Sequence, residues 1–414
     1  MKIDFATGRH LPQKDILQRS AKGLARRFCS VSFLGLLLFL VSTIAAAPSA
    51  EYDVVIRNGH IIDGTGSPWY AGDIGIRDGH IATIGHLSEA LAKQQIDAAG
   101  RVVAPGFIDM NGWSDFSILI DQHVPSKIYQ GITSEITGEG DSVAPVDDAT
   151  LASRKAWLES IGVKLDWRTF TEYFARLQKQ GMAVNHGTYV GATRIRQFVI
   201  GDADRAPTLQ ELQRMKGIVA EAMRRGALGV GSSLMYSPAI YASTEELIAL
   251  ASVSAQYGGV YATHIRDQAD NDMAALAEPA RIAREANTAV EIFHLQVAGK
   301  ANWGKMSEVV AFIEKARREG LDITADTYAY TAGANDLVSY VPPWAADGGT
   351  KMLIERLKDP ATRARIHKDM ETPSTTWENE WLEVASAKWV AFSGVIWCVS
   401  LHDVARQGDT NEET

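Results

Sequence analysis

The sequence predicts an α/β fold: an incomplete (β/α)8, TIM-like barrel preceded by a small β module. Three observations predict it. From residue 106 onward, strand-like and helix-like patterns alternate in units of about 30 to 35 residues, the size of a βα repeat. Apolar strand-like runs recur at 106–111, 132–138, 187–192, 227–234, 259–265, 289–295 and 322–328. Residues 52–104, by contrast, read as short strands with turn signals and no helical spacing between them.

The elements follow in order. Residues 1–50 carry seven basic and two acidic side chains, and Lys22, Arg26 and Arg27 precede the apolar run "VSFLGLLLFLVSTIAAA". A charged stem, an apolar stretch and a small-residue exit predict a secretory signal peptide and a periplasmic or secreted destination. Retention as a membrane anchor is the alternative. Because the whole chain carries −9 and this segment +5, residues 51–414 carry −14. A body that acidic repels phosphate backbones, which argues against nucleic acid as a partner. Of the two cysteines, Cys29 lies in the signal and Cys398 remains, so the mature chain has no internal disulfide.

In the β module, "YDVVIRNGHIID" alternates and then turns, and "DIGIRDGHIATIG" is a hairpin pattern around Asp78 and Gly79. Within the barrel, Thr208 with Glu211 forms a capping-box signature. Leu209, Leu212, Met215 and Val219 then keep helical spacing. Ser243 with Glu246 opens the next helix; "PARIAREAN" and "MSEVVAFIEKARREG" supply two more. A closed barrel of this kind has eight strands. Residues 338–414 offer no eighth strand–helix unit.

Such barrels place their chemistry at the C-terminal ends of the strands. His264 and His294 each end a strand-like run, "GVYATH" and "AVEIFH", one βα repeat apart. Neighbouring strands lie about 4.8 Å apart, so two imidazoles at matching ends can meet on one ion. A lone histidine there would more simply be satisfied by backbone; two at equivalent positions point to a metal. Catalytic zinc usually keeps three protein ligands and a water. The third is Glu139 or Asp141, in the glycine-flanked turn "TGEGDS". Asp326, in "TADTYAY", suits a base or a group that orients one. Tyr236, in "SSLMYSP", suits a hydrogen-bond donor to a substrate oxygen. Both would equally serve as strand-end residues capping a loop.

These residues sit among segments that together resemble the N-acyl-D-amino-acid deacylases (D-aminoacylases) of the amidohydrolase superfamily. The segments are "YDVVIRNGHIIDGTG", "VVAPGFID", "GITSEITGEGDSVAP", "GVGSSLMYSP", "YATHIRD", "FHLQVAGKANWGK" and "DTYAYTAG", spread over residues 52–385. The resemblance implies an amidohydrolase barrel flanked by a β-sandwich, with one tightly held zinc. It implies hydrolysis of the amide bond of small N-acyl-D-amino acids. It also implies that His264 and His294 bind the metal with a strand-2 residue, here Glu139 or Asp141. Tyr236 and Arg266 are the candidate substrate contacts. The domains then run 1–50 (signal), 51–104 (β-sandwich module), 105–337 (barrel strands 1 to 7) and 338–414 (an insertion-like segment and a divergent tail).

Departures from the family accompany the matches. Asn111 and Trp113 stand where the family has His-x-His. Strand 4 also lacks the lysine that bridges two metals in other amidohydrolases. After about residue 387 the likeness ends, which reads as a truncated or frame-shifted product without the aspartate of the eighth strand. The expected activity is correspondingly impaired; in a naturally short variant, Asp326 takes the base role. A catalytically inactive binding protein and a cyclic amide or imide hydrolase are the rival readings.

Overall fold

The structure, a computed structural model, describes residues 50–328, 332–333, 335–385, 391–393 and 396–400. The expected export signal therefore lies outside the described residues, as does most of the divergent tail. No helix among the described residues is long and apolar enough to cross a membrane. The chain divides into two compact units, with the boundary between Val103 and Ala104.

The first unit is a five-stranded sheet. β1 (Tyr52–Ile61) lies between antiparallel β2 (Tyr70–Arg77) and parallel β4 (Ala92–Asp97). β3 (His80–Gly85) pairs outside β2, and β5 (Val102–Val103) pairs with the end of β1. The β2–β3 hairpin turns at Asp78 and Gly79, both at positive φ, the geometry expected of a two-residue hairpin loop.

The second unit is built of parallel strands joined by helices. β6 (Phe107–Asp109) is followed by α1 (Pro125–Ile128) and β7 (Ile132–Thr137). Then come α2 (Asp148–Ser160), α3 (Phe170–Gln180), β8 (Asn185–Thr188), β9 (Val190–Gly191), α4 (Ala192–Val199) and α5 (Leu209–Arg224). β10 (Gly229–Ser233), α6 (Thr244–Ala255), β11 (Val260–His264), α7 (Asp272–Ala286), β12 (Val290–Ile292), α8 (Met306–Arg318) and β13 (Ile323–Ala325) complete the repeat. All seven expected strands are present. β8 pairs with β7 and β9 with β10, and only Tyr189 separates β8 from β9. The parallel order therefore runs in sequence order from β6 to β13. Among the described residues, β6 pairs only with β7 and β13 only with β12.

Local chemistry sets these elements. Thr208 accepts from the Glu211 N–H while the Glu211 carboxylate returns to Thr208, the expected capping box, and Thr169 with Glu172 repeats it on α3. Alternation then sorts the strands' faces. Tyr261, Val290, Ile292 and Ile323 join the large buried cluster with Leu247, Leu250, Ile282 and Val309 of the helices. Ala262, next to Tyr261, belongs instead to a small cluster with Tyr189 and Phe293. Each fully buried aliphatic side chain contributes roughly 1.5–3 kcal/mol. The strands are thereby fixed in register and their C-terminal ends held side by side.

After β13 the pattern breaks into short 3-10 turns, α9 (Thr350–Lys358), α10 (Pro360–Met370) and α11 (Glu380–Ala385). A small antiparallel sheet joins β14 (Ala332–Gly333), β15 (Ala391–Ser393) and β16 (Ile396–Ser400), with β16 in the middle.

Candidate metal centre

Three side chains from three strand ends meet. His264 is the last residue of β11, His294 lies two residues past β12, and Glu139 lies two residues past β7. Glu139 Oε1 is 3.1 Å from His264 Nδ1 and 3.5 Å from His294 Nε2. The two rings stand nearly perpendicular, 4.5 Å between centroids. All three ligand atoms lie within 4.8 Å of one another.

The backbone is shaped for this meeting. Gly138 and Gly140, on either side of Glu139, have φ of 99° and 72°, conformations that a side chain would strain. His294 itself sits at φ 36°, rare for a residue with a Cβ. That turn is held by Asp326, whose Oδ1 accepts the His294 N–H. On the ring, His294 Nδ1 lies 3.0 Å from Gln268 Nε2. Gln268 in turn accepts from Gln296 through Oε1 at 2.8 Å, and its backbone N–H donates to Glu378 at 2.8 Å.

Electrostatics favour a cation. Burial pushes the Glu139 carboxyl up, but hydrogen bonds and charge from His264 and His294 overcome it and hold the group well below the usual carboxylate range. Burial lowers His264, which favours the neutral, ligating form of its ring. His294 is raised, because Glu139 outweighs its burial. His264 Nε2 is shut away from solvent with no hydrogen-bond partner. Two imidazoles and an ionised carboxylate are an accepted zinc donor set. Donors about 2.0–2.1 Å from a tetrahedral zinc lie about 3.3–3.4 Å apart. The separations of 3.1 and 3.5 Å bracket that value, so the residues fit zinc.

Asp326 stands beside this cluster. Its Oδ2 is buried without a partner, and burial raises its pKa. Tyr236 packs edge-on to His264 at 5.5 Å, and its hydroxyl donates to Asn335 Oδ1 at 2.8 Å. Burial pushes that hydroxyl far up, so it stays protonated. Asn335 also donates to Glu380, which accepts from Ser339 Oγ at 2.7 Å and is pushed by burial up to about 7.

Two of the expected residues are engaged with other side chains. Arg266, expected on substrate, braces neighbouring elements. Its guanidinium donates to both oxygens of Glu278, at 2.8 and 3.0 Å, and to the carbonyls of Ile240 and Ala242. Asp141, the alternative third ligand, faces Arg154 and Arg194, and Glu139 alone of the two reaches the histidines.

Other residues reach the centre whose contacts sequence reasoning did not give. Ser233 Oγ donates to Glu139 Oε1 at 3.0 Å, because Ser233 pairs in register with His264. Asn111 Nδ2 donates to Glu139 Oε2 at 2.8 Å. The polar residue at the end of the first strand was a usable signal for Asn111. For Glu378 and Glu380, in a stretch without periodicity, there was none.

No protein-family model matches the chain. It is similar to the D-aminoacylase of Alcaligenes xylosoxydans xylosoxydans, 37% identical over 290 residues, covering 70% of this chain and 60% of that protein. It therefore spans about three fifths of the length of this curated relative. Among solved structures, it resembles a D-aminoacylase studied for its binuclear metal centre, with a TM-score of 0.64, 34% identity, and 77% and 69% of the two chains covered. It also resembles the N-acyl-D-glutamate deacylase of Bordetella bronchiseptica, solved with zinc and a phosphonate mimic of the tetrahedral intermediate. There the TM-score is 0.64 at 35% identity, covering 71% of this chain and 61% of that one.

Proposed function

The chain belongs to the D-aminoacylase family of the amidohydrolases, and we propose that it hydrolyses the amide bond of N-acyl-D-amino acids. The carrying observation is the convergence of Glu139, His264 and His294 within 4.8 Å at the C-terminal ends of parallel strands. In this reading the strands β6 to β13 are seven strands of a (β/α)8 barrel, and the first unit is its β-sandwich module.

Glu139, His264 and His294 would hold one zinc, which supplies Lewis acidity, polarising a carbonyl and making water acidic near neutral pH. The chain's own residues do the rest. Asp326 keeps Oδ1 on the His294 N–H and leaves Oδ2 free for a proton. Its burial-raised pKa suits a group that takes a proton from water and passes it to the departing nitrogen. Tyr236 stays protonated and exchanges Asn335 for a substrate oxygen. Gln268 and Asp326 keep the His294 ring and backbone in place while this happens.

The test is to incubate the zinc-loaded chain with N-acetyl-D-amino acids, their L enantiomers and cyclic imides, and to assay free amino acid and ring opening. Release from the D substrates, lost in His264→Ala, is expected. A folded, zinc-loaded chain that releases nothing, or that opens rings only, overturns the reading.

A further inference from the structure

We infer that Glu380, one amide beyond Tyr236, makes the site select N-acyl-D-amino acids whose side chain is positively charged, such as those of lysine and arginine. The inference rests on the function proposed above and narrows its substrate class.

The hydrogen bonds at this end of the site run in one direction. Tyr236, whose ring stands 5.5 Å from that of His264, donates through its hydroxyl to Asn335 Oδ1 at 2.8 Å. Asn335 Nδ2 donates to Glu380 Oε1, and Ser339 Oγ donates to Glu380 Oε2 at 2.7 Å. A substrate oxygen that takes the Tyr236 hydroxyl leaves Asn335 Oδ1 without its donor. Asn335 cannot turn round, because its oxygen would then face an ionised carboxylate. The surface left to the substrate is therefore an amide oxygen beside a carboxylate, two acceptors and no free donor. Ammonium and guanidinium groups carry donors only, so they match it.

Charge points the same way. Both hydrogen-bond partners of Glu380, Ser339 and Asn335, are neutral, and burial pushes its carboxyl up to about 7. A cation beside it favours the charged form that burial penalises. After burial, the groups that raise Tyr236 are Glu380, Glu139, Asp336 and Glu378, all carboxylates. Glu139 and Glu380 also raise Tyr328, whose ring lies 6.3 Å from that of His294. Glu139 is taken up by the metal in the proposed reaction; Glu380 is not. The substrate's own carboxylate is repelled from this end, and an acetyl group brings no donor. The arm that reaches Glu380 is the amino-acid side chain.

The experiment measures kcat/KM of the zinc-loaded full chain on Nα-acetyl-D-lysine, N-acetyl-D-norleucine and N-acetyl-D-glutamate. The pH is held one unit above the value of about 7 for Glu380, so that its carboxylate is charged. Norleucine has the carbon chain of lysine without the ammonium. The lysine compound should exceed it roughly 10- to 100-fold, as expected for a charge-assisted hydrogen bond, and should exceed the glutamate compound by more. In Glu380→Gln, which keeps the size and loses the charge, the ratio of lysine to norleucine should fall to near unity. Norleucine equal to lysine or better, glutamate preferred over either, or a ratio that survives Glu380→Gln overturns the inference. If that variant does not fold by circular dichroism, the wild-type ratios decide. A folded, zinc-loaded chain that turns over no D substrate removes the proposed function instead. Calorimetric binding of the same three compounds then decides the inference: tighter binding of the lysine compound upholds it, and equal or absent binding overturns it.

Discussion

At the scale of single residues, Asp326 divides its carboxylate between support and chemistry. Oδ1 holds the strained backbone of His294, and Oδ2 is buried and unpartnered. An asparagine keeps an oxygen for the His294 N–H and loses the proton acceptor. Asp326→Asn is therefore expected to retain its zinc and lose on the order of 10²- to 10⁴-fold in kcat, with KM little changed. Metal analysis beside steady-state kinetics checks this; an unimpaired kcat would move the base elsewhere. The same scale shows what sequence can reveal. His264 and His294 were legible because each ends a strand one repeat from the other. Ser233 and Gln268 were not, since serine and glutamine acquire a role only from what lies opposite them.

Elements divide the same way. The seven parallel strands and the helix opened by Thr208 and Glu211 were legible because period and capping chemistry are local. The interruption at Tyr189, which splits one strand into β8 and β9, depends on partners on both sides and left no local trace. Arg266 shows how much of a motif residue's setting comes from its element. It follows β11 closely, yet it braces α7 through Glu278 and the loop before α6 through Ile240 and Ala242. Removing it strands a nearly buried carboxylate, and the Arg266 side chain is itself 28% exposed. Arg266→Met is therefore expected to cost about 2 kcal/mol of stability, below the roughly 3–5 kcal/mol of a fully buried pair because the arginine is partly solvated. Denaturant titration reads this directly, and zinc content should not change. A variant of normal stability with a raised KM would restore the substrate role.

For the whole molecule, the fold's contribution is to carry residues far apart in sequence to one point. Glu139, His264 and His294 are separated by up to 155 positions, yet meet because parallel strands in sequence order end side by side. That much follows from a βα repeat count. The surroundings of the centre do not. Tyr236 reaches Asn335, and Gln268 reaches Glu378, across segments with no periodic pattern to align them. The most direct test is the X-ray absorption spectrum of the zinc-loaded chain at the zinc edge. The account predicts two imidazole nitrogens and a carboxylate oxygen at about 2.0–2.1 Å and no sulfur neighbour. A sulfur shell near 2.3 Å, or a first shell without imidazole scattering, would contradict it.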